Sequence, residues 1–455
     1  MNVEVVILAA GQGTRMRSSL PKVLHPIAGK PMLAHVTDAA RTLSPKAIHV
    51  VVRPGSEAIK DALGGGLNWV EQKEQLGTAH AVAQAMSAIA VDATVLVLFG
   101  DVPLVSTETI ARCAEHASRG ALSLVTANLS DPAELGRIVR EDGRITRIVE
   151  YKDASPEIRR INEINSGILA APRSLLEKFF ATMSNDNAQG EFYLTDVVQH
   201  AITNGRTVEG VFATSEMEVT GVNNRVQLAE VERAYQLIQA NRLMLAGVTI
   251  ADPQRLDIRG EVTTGTDVFI DINVVFSGTV ELGDHVHVGP GAVISNSKLG
   301  AGVRVEANTV IDGAVIGARC VLGPFARLRP GTELGEGVRI GNFVETKKTR
   351  MGSGSKANHL AYLGDAEIGS GSNIGAGTIT CNYDGSPIKK RTEIGDRVFV
   401  GSNSTLVAPI QIADDAFIAA GSAVTSKIDA GDLAVARAKQ RNIKGWTPPY
   451  RRHGK

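Results

Sequence analysis

The sequence predicts an α/β domain with a mostly parallel, Rossmann-like sheet, followed by a parallel β-helix of six-residue repeats. Three observations carry this. An apolar residue returns at every sixth position through the second half. A Gly-rich turn follows a short apolar strand near residue 11. The 455 residues include 47 glycines, while aromatics make up only 4%, a composition suited to many tight turns between short strands.

The repeat runs Ile270, Phe276, Leu282, Val288, Ile294, then by a step of five to Leu299, Val305 and Ile311. It continues through Ile316, Leu322, Leu328, Leu334, Ile340, Thr346, Met351, Ala357, Leu363, Ile368, Ile374 and Thr380. After a gap it resumes at Ile394, Val400, Leu406, Ile412, Ile418 and Val424. All but the two threonines are apolar, although a chain of 43% apolar composition would leave more than half polar by chance. A period of six is neither helical nor a simple strand alternation. It suits a coil with three flat faces whose apolar residues stack inward. Gly follows the apolar residue at about half the positions, where a sharp corner needs a small residue. The repeat leaves handedness open, since the general rule for crossovers favours right-handed ones.

In the first half, Val5–Leu8, Ile48–Val52 and Thr94–Leu98 read as short buried strands, with helical patterns after Pro31. Alternating strands and helices indicate a parallel sheet covered on both faces. Ligands of such sheets bind beyond the carboxyl ends of the strands, where Gly11 and Asp101 lie. Residues Gln227 to Ala246 form a helical pattern with Val231, Tyr235, Ile238 and Leu245 on one side, stopped by Gly247. The expected organisation is a domain at 1–226, a linker helix at 227–247 and the β-helix at 248–455.

The 48 basic residues balance 48 acidic ones, which argues against non-specific nucleic-acid binding. Three scattered cysteines form neither a disulfide framework nor a zinc spacing. No apolar run is long enough to span a bilayer, and the N-terminus lacks a basic leader pattern. A cytoplasmic, membrane-free protein is expected. The basic tail Arg451–Lys455 is expected to fray.

The turn Leu8-Ala9-Ala10-Gly11-Gln12-Gly13-Thr14-Arg15-Met16 lets backbone N–H groups approach phosphates, and Arg15 and Lys22 bring positive charge. It matches neither the Walker loop nor G-x-G-x-x-G. Asp101, after an apolar strand, suits Mg²⁺ beside a triphosphate. In the second half, Arg327, Arg329, Lys347 and Lys348 make a basic patch in a neutral chain. His359 is the sole histidine between His287 and His453, and a neutral imidazole suits general-base work. His285 and His287 lack further metal ligands at convincing spacing and read as coil surface. Cys381 lacks a nearby histidine and is not read as a nucleophile.

Together with Gln75-Leu76-Gly77-Thr78-Ala79-His80, Gly136-Arg137-Ile138, Ile148-Val149-Glu150 with Lys152, Glu163-Ile164-Asn165-Ser166-Gly167 and Gly221-Val222-Asn223-Asn224, these motifs resemble the sugar-nucleotide pyrophosphorylases. Over its whole length the chain resembles the bacterial bifunctional N-acetylglucosamine-1-phosphate uridyltransferase/glucosamine-1-phosphate acetyltransferases. The resemblance implies a nucleotidyltransferase domain and a left-handed β-helix. It implies that Leu8, Ala9, Ala10, Gly11, Gln72, Gly77 and Thr78 contact the uridine side, with Phe99 and Gly100 beside them. Arg15 and Lys22 would face phosphates, Gly136, Glu150 and Asn165 the sugar, and Asp101 and Asn223 Mg²⁺. In the second half, His359 would be the base, with Glu345 orienting it. Arg329 and Lys347 would hold the sugar phosphate, and Tyr362 and Asn373 the sugar. Ala376, Asn382, Tyr383, Ser402, Ala420 and Arg437 would hold acetyl-CoA. The implied substrates are UTP, acetyl-CoA, glucosamine-1-phosphate and N-acetylglucosamine-1-phosphate. The product would be UDP-N-acetylglucosamine, a precursor of bacterial cell-wall and lipopolysaccharide sugars, and the assembly a homotrimer with acetyl-transfer sites between chains. Phe99 and Leu135 stand where such enzymes commonly carry Tyr. The competing readings are a single-activity pyrophosphorylase with a structural, oligomer-forming β-helix, and a non-catalytic sugar-nucleotide sensor.

Overall fold

A computed structural model describes residues 2–187 and 189–452. The chain divides into two compact units, Met1–Tyr235 and Gln236–Lys455, and the division falls inside the helix Arg225–Leu245.

In the first unit, Val3–Leu8 is buried on both sides and pairs in parallel with Ala47–Val52 and with Thr94–Phe99. Asn68–Glu71 extends the sheet beyond Ala47–Val52, also in parallel. On the other side, Glu163–Pro172 is antiparallel to both Thr94–Phe99 and Leu122–Asn128, so the sheet is mixed. Val208–Phe212 forms the edge, parallel to Leu122–Asn128, and the hairpin Arg137–Glu141/Arg144–Val149 joins through Ile164. The pleat sends Val5 and Ile7 to one face and Val6 to the other. The first face packs against Leu33, Val36 and Ile110, the second against Val82, Leu176 and Val198. Helices thus cover both faces, which is why these strands read as continuous apolar runs. Strand order reverses beside Val3–Leu8, and that switch point opens a crevice beyond Leu8 and Phe99.

The second unit is a left-handed parallel β-helix. One face is an 11-stranded parallel ladder. The other two faces belong to one 16-stranded sheet, because Leu256–Thr264, Val274–Leu282 and Val293–Leu299 run continuously around a corner before the ladders diverge. A coil advances 17 residues from Val305 to its partner Leu322, and 18 from Leu322 to Ile340. Every position of the six-residue series is buried, the two threonines included. Thr346 and Thr380 satisfy their hydroxyls internally: Thr346 pairs with Thr332 at 2.9 Å, and Thr380 receives the Gly364 N–H at 2.8 Å. A long loop leaves the coil between Ile379–Cys381 and Thr392–Ile394.

The expected apolar side of the connecting helix is partly wrong. Val231 is buried, but Ile238 and Leu245 are 51% and 90% exposed. Gln236, Ala240 and Leu243 are buried instead. A polar residue takes a core position here because both ends of its amide pair with the Ile258 backbone, at 3.0 and 2.7 Å. Gly247, at φ 99°, ends the helix as expected. No helix among the described residues is long and apolar enough to cross a membrane. Within the expected frayed tail, Arg451 and Arg452 belong to a short helix, Pro449–Arg452, while 453–455 lie outside the described residues.

Candidate active sites

In the first unit the crevice holds two adjoining pockets. One, of about 220 Å³, is lined by Leu8, Ala9, Ala10, Gly11, Lys22, Gln72, Gly77, Thr78, Phe99 and Asp101, together with Gln75 and Glu191. The other, of about 250 Å³, is lined by Gly136, Glu150 and Asn165, with Leu194 and Thr195. Thr78 and Phe99 belong to both, so the two form one cleft. Gly100, which completes the expected set, is buried behind it and donates its N–H to the Leu8 carbonyl at 2.9 Å.

The local reasons are visible in the chain. Gly77 has φ 118°, and a Cβ there would sit 2.5 Å from the Phe192 carbonyl oxygen, so only glycine fits this close approach. Gln72 is buried, and its amide donates to the Gly77 carbonyl at 3.3 Å and to His80 Nδ1 at 3.2 Å. The Phe99 ring lies against Gly167 between the pockets, a packing role that needs no hydroxyl. Leu135 is 43% exposed at the pocket edge.

Lys22, Asp101 and Asn223 converge across the whole unit. The Lys22 ammonium pairs with the Asp101 carboxylate and reaches Asn223 Oδ1 at 3.2 Å. Gln227 holds the Asn223 N–H at 2.8 Å, and the Val222 N–H donates to the Asp101 carbonyl at 2.9 Å. Two oxygens therefore point at one cation. Such a hard, sparse donor set suits Mg²⁺, which takes few protein ligands and fills its shell with phosphate and water. Arg15 is exposed on its turn and does not line the pocket.

Two features mark the second pocket. Asn165 is 8% exposed and its Oδ1 has no hydrogen-bond partner among the described residues. A buried acceptor left open inside a pocket awaits a donor. Glu150 Oε1 accepts from Thr195 Oγ1 at 3.0 Å. Burial pushes the Glu150 carboxyl above its ordinary range against the pull of Thr195, and the Asp196 and Asp153 charges push the same way.

In the β-helix, one edge repeats a motif in five successive coils. Asn342, His359, Ala376, Ser402 and Ala420 each precede a residue in left-handed backbone, namely Phe343, Leu360, Gly377, Asn403 and Gly421. The Asn403 and Gly421 N–H groups donate to the Ala376 and Ser402 carbonyls at 2.7 and 2.8 Å, tying these coils together. Arg437 joins the edge by donating to the Ala420 carbonyl at 2.8 Å. His359 is exposed, and its Nδ1 faces Asn342 Oδ1 at 2.9 Å. Glu345 does not orient it: that carboxylate is taken by Arg329 at 2.7 Å. The reason is register, since Asn342 stacks on His359 whereas Glu345 stacks on Tyr362.

Tyr362 lies over Gly364, whose bare backbone leaves room for its ring. Asn373 stands on the ladder that carries Lys356. Asn382 is buried just after Ile379–Cys381, at the far edge of the face that carries Tyr362, and is bound to Asp365 at 2.5 Å, and exposed Tyr383 follows on the loop with Lys389 5.8 Å over its ring. These two residues are not brought to the edge that carries His359 and Ser402. Lys389 also crowds Lys347, and its charge, followed by that of Arg329, lowers the Lys347 pKa.

Sequence reading missed Asn342, Lys389, Glu191 and Thr195. Asn342 was within reach, being one 17-residue coil before His359. Lys389 and Glu191 come from loops and Thr195 from the single-turn helix Leu194–Asp196, segments whose path no repeat dictates.

Fold and sites together define a nucleotidyltransferase joined to a hexapeptide-repeat acyltransferase. Residues 5–179 match the MobA-like NTP transferase domain, 258–351 the GMPPB C-terminal domain, and 391–426 the hexapeptide repeat of succinyl-transferase. The chain is 54% identical to the bifunctional protein GlmU of Marinobacter nauticus, over 98% of this chain and 99% of that one. It is also 54% identical to the proteins of that name from Pseudomonas putida and Pseudomonas entomophila, over 99% of both chains in each case. The chain belongs to the bifunctional GlmU family of uridyltransferase/acetyltransferases.

Proposed function

We propose that the β-helix acetylates glucosamine-1-phosphate and that the α/β unit then uridylylates the product to UDP-N-acetylglucosamine. The observation that carries the pairing is the His359 edge. A β-helix serving only as a scaffold has no use for an exposed imidazole held by Asn342 at 2.9 Å in line with Ala376, Ser402 and Ala420.

For acetyl transfer, the Asn342 carbonyl oxygen accepts from His359 Nδ1–H, which leaves the Nε2 lone pair as base. His359 takes a proton as the substrate amine attacks the thioester carbonyl. The C–S bond breaks, CoA leaves, and the amide forms. Arg329 and Lys347 hold the sugar phosphate, Tyr362 and Asn373 the sugar, and Ala376, Ser402, Ala420 and Arg437 acetyl-CoA, with Asn382 and Tyr383 contributed across the chain interface of the trimer proposed below.

For uridylyl transfer, a phosphate oxygen of N-acetylglucosamine-1-phosphate attacks the α-phosphorus of UTP and pyrophosphate leaves. Leu8–Gly11, Gln72, Gly77 and Thr78 hold the nucleotide, while Gly136, Glu150 and Asn165 hold the sugar. Lys22 and Arg15 balance phosphate charge, and in-line positioning supplies much of the rate. Asp101 and Asn223 would hold Mg²⁺, which supplies further charge neutralisation.

The proposed boundaries remain 1–226, 227–247 and 248–455, and the proposed setting is the cytoplasm. A homotrimer is the proposed assembly. Support comes from exposed Phe325 and Phe343, stacked at 5.6 Å, and exposed Leu360 next to His359. Bulky residues in left-handed backbone are costly, and here they present an apolar stripe beside the base.

One assay tests both halves. With acetyl-CoA, glucosamine-1-phosphate, UTP and Mg²⁺, His359→Ala should abolish CoA release yet still form pyrophosphate from supplied N-acetylglucosamine-1-phosphate. Asp101→Ala should do the reverse. Full acetyl transfer by His359→Ala would remove the base assignment, whereas no CoA release by the parent protein would leave a single-activity pyrophosphorylase.

A further inference from the structure

We propose that Thr195 is a positioning residue for uridylyl transfer, because the segment Phe192–Thr195 registers the sugar carboxylate Glu150 against the nucleotide loop Leu76–Ala79. The inference rests on the reading of Glu150 as a sugar ligand.

The segment crosses from one pocket to the other. At its start, Glu191 lines the nucleotide pocket. The Phe192 N–H donates to the Leu76 carbonyl at 2.8 Å, and the Phe192 carbonyl accepts from the Ala79 N–H at 3.0 Å. This two-way pairing grips the loop from both sides of Gly77. The Leu194 N–H then donates to the Thr78 hydroxyl at 3.1 Å. Leu194 is 3% exposed, which anchors the segment in the core. The next residue, Thr195, lines the sugar pocket and donates to Glu150 at 3.0 Å. Within four residues the chain therefore engages the loop that faces the nucleotide and the carboxylate that faces the sugar.

Attack on the α-phosphorus requires the sugar phosphate and the nucleotide in one relative position, and small misplacements are expensive in rate. A short segment bonded to both sides sets that position. A carboxylate free to rotate would not: the Asp196 and Asp153 charges repel it, and Glu134, also acidic, lines the same pocket. The Thr195 hydroxyl is the group that fixes its direction and opposes the repulsion.

Thr195→Val keeps the shape and removes the donor. The expected result is a rise of about tenfold in KM for N-acetylglucosamine-1-phosphate, the worth of one hydrogen bond to a charged group. KM for UTP should stay within about twofold, since the backbone bonds at Phe192 and Leu194 remain. With Thr195 gone, nothing on that side favours the ionised carboxyl, so the acid limb of kcat/KM for the sugar phosphate should move to higher pH. Thr195→Ser should restore both. CoA release by the same chain and the thermal midpoint report folding. An unchanged KM and acid limb would overturn the proposal, as would a KM change that Ser does not repair and no pH shift accompanies. Glu150→Ala separates the premise: if it leaves KM for the sugar phosphate unchanged, the sugar-ligand reading itself falls.

Discussion

Asn342 gives His359 a neutral partner, an amide oxygen at 2.9 Å. An amide fixes the ring tautomer without adding negative charge to favour the imidazolium. Asn342→Ala should lower acetyl-transfer kcat by about tenfold to a hundredfold, within the range of a lost general-base alignment. Asn342→Asp should keep the tautomer but stabilise the protonated ring. A carboxylate partner raises the pKa of a histidine, so the base becomes neutral only at higher pH, and the acid limb of kcat for CoA release should move upward. Identical profiles for the Asp and parent proteins would show that the 2.9 Å contact does not operate in the reaction.

Among the elements, the loop between Ile379–Cys381 and Thr392–Ile394 interrupts an otherwise regular coil. It brings Lys389 to Lys347 and Arg329, three cations in one place, and lowers the Lys347 pKa chiefly through the Lys389 charge. A lowered lysine pKa means that folding opposes protonation there. The opposition is present at low and neutral pH and fades as pH rises through the folded value. A phosphate dianion would relieve it. Lys389→Ala should therefore raise KM for glucosamine-1-phosphate by about tenfold, the scale of one charge-assisted contact. Pyrophosphate release should not change. Equal KM values for glucosamine-1-phosphate in the two proteins would assign the loop to another task. The connecting helix holds the opposite lesson. Its surface periodicity pointed to Ile238 and Leu245, yet Gln236 is buried with Ala240 and Leu243 instead, since an amide satisfied at both ends by backbone can take a core position there.

At the scale of the molecule, each unit buries its own apolar core. Leu328, fully buried in the coil, tests whether those cores are independent. Leu328→Ala should cost about 3 kcal/mol through lost burial and cavity formation. A calorimetric scan should resolve two transitions, of which only one moves. A single transition shifted as a whole would show that the cores unfold together. The repeat made the β-helix legible in the sequence because each inward position depends on its own coil alone: the rule that buries Val305 also buries Leu322 and Ile340. The parallel strands were legible for a similar reason, as residues covered on both faces must be apolar along their length. Candidate site motifs stood out as well, since Gly11, Asp101 and His359 each depart from what a strand or coil requires, but only the family resemblance gave them roles.

Partnership was not visible. Lys22 meets Asp101 and Asn223 from positions 79 and 201 residues away, and Thr195 meets Glu150 across 45. These pairings depend on strand order and loop path, which are global properties that no local pattern encodes. The sequence by itself determined the two architectures, since periodicity and turn residues act over a few neighbours, and its resemblance to a known family pointed to the chemistry. Only the tertiary structure decided which groups touch. Coil register gave His359 to Asn342 rather than Glu345, and sheet order brought one lysine between an aspartate and an asparagine.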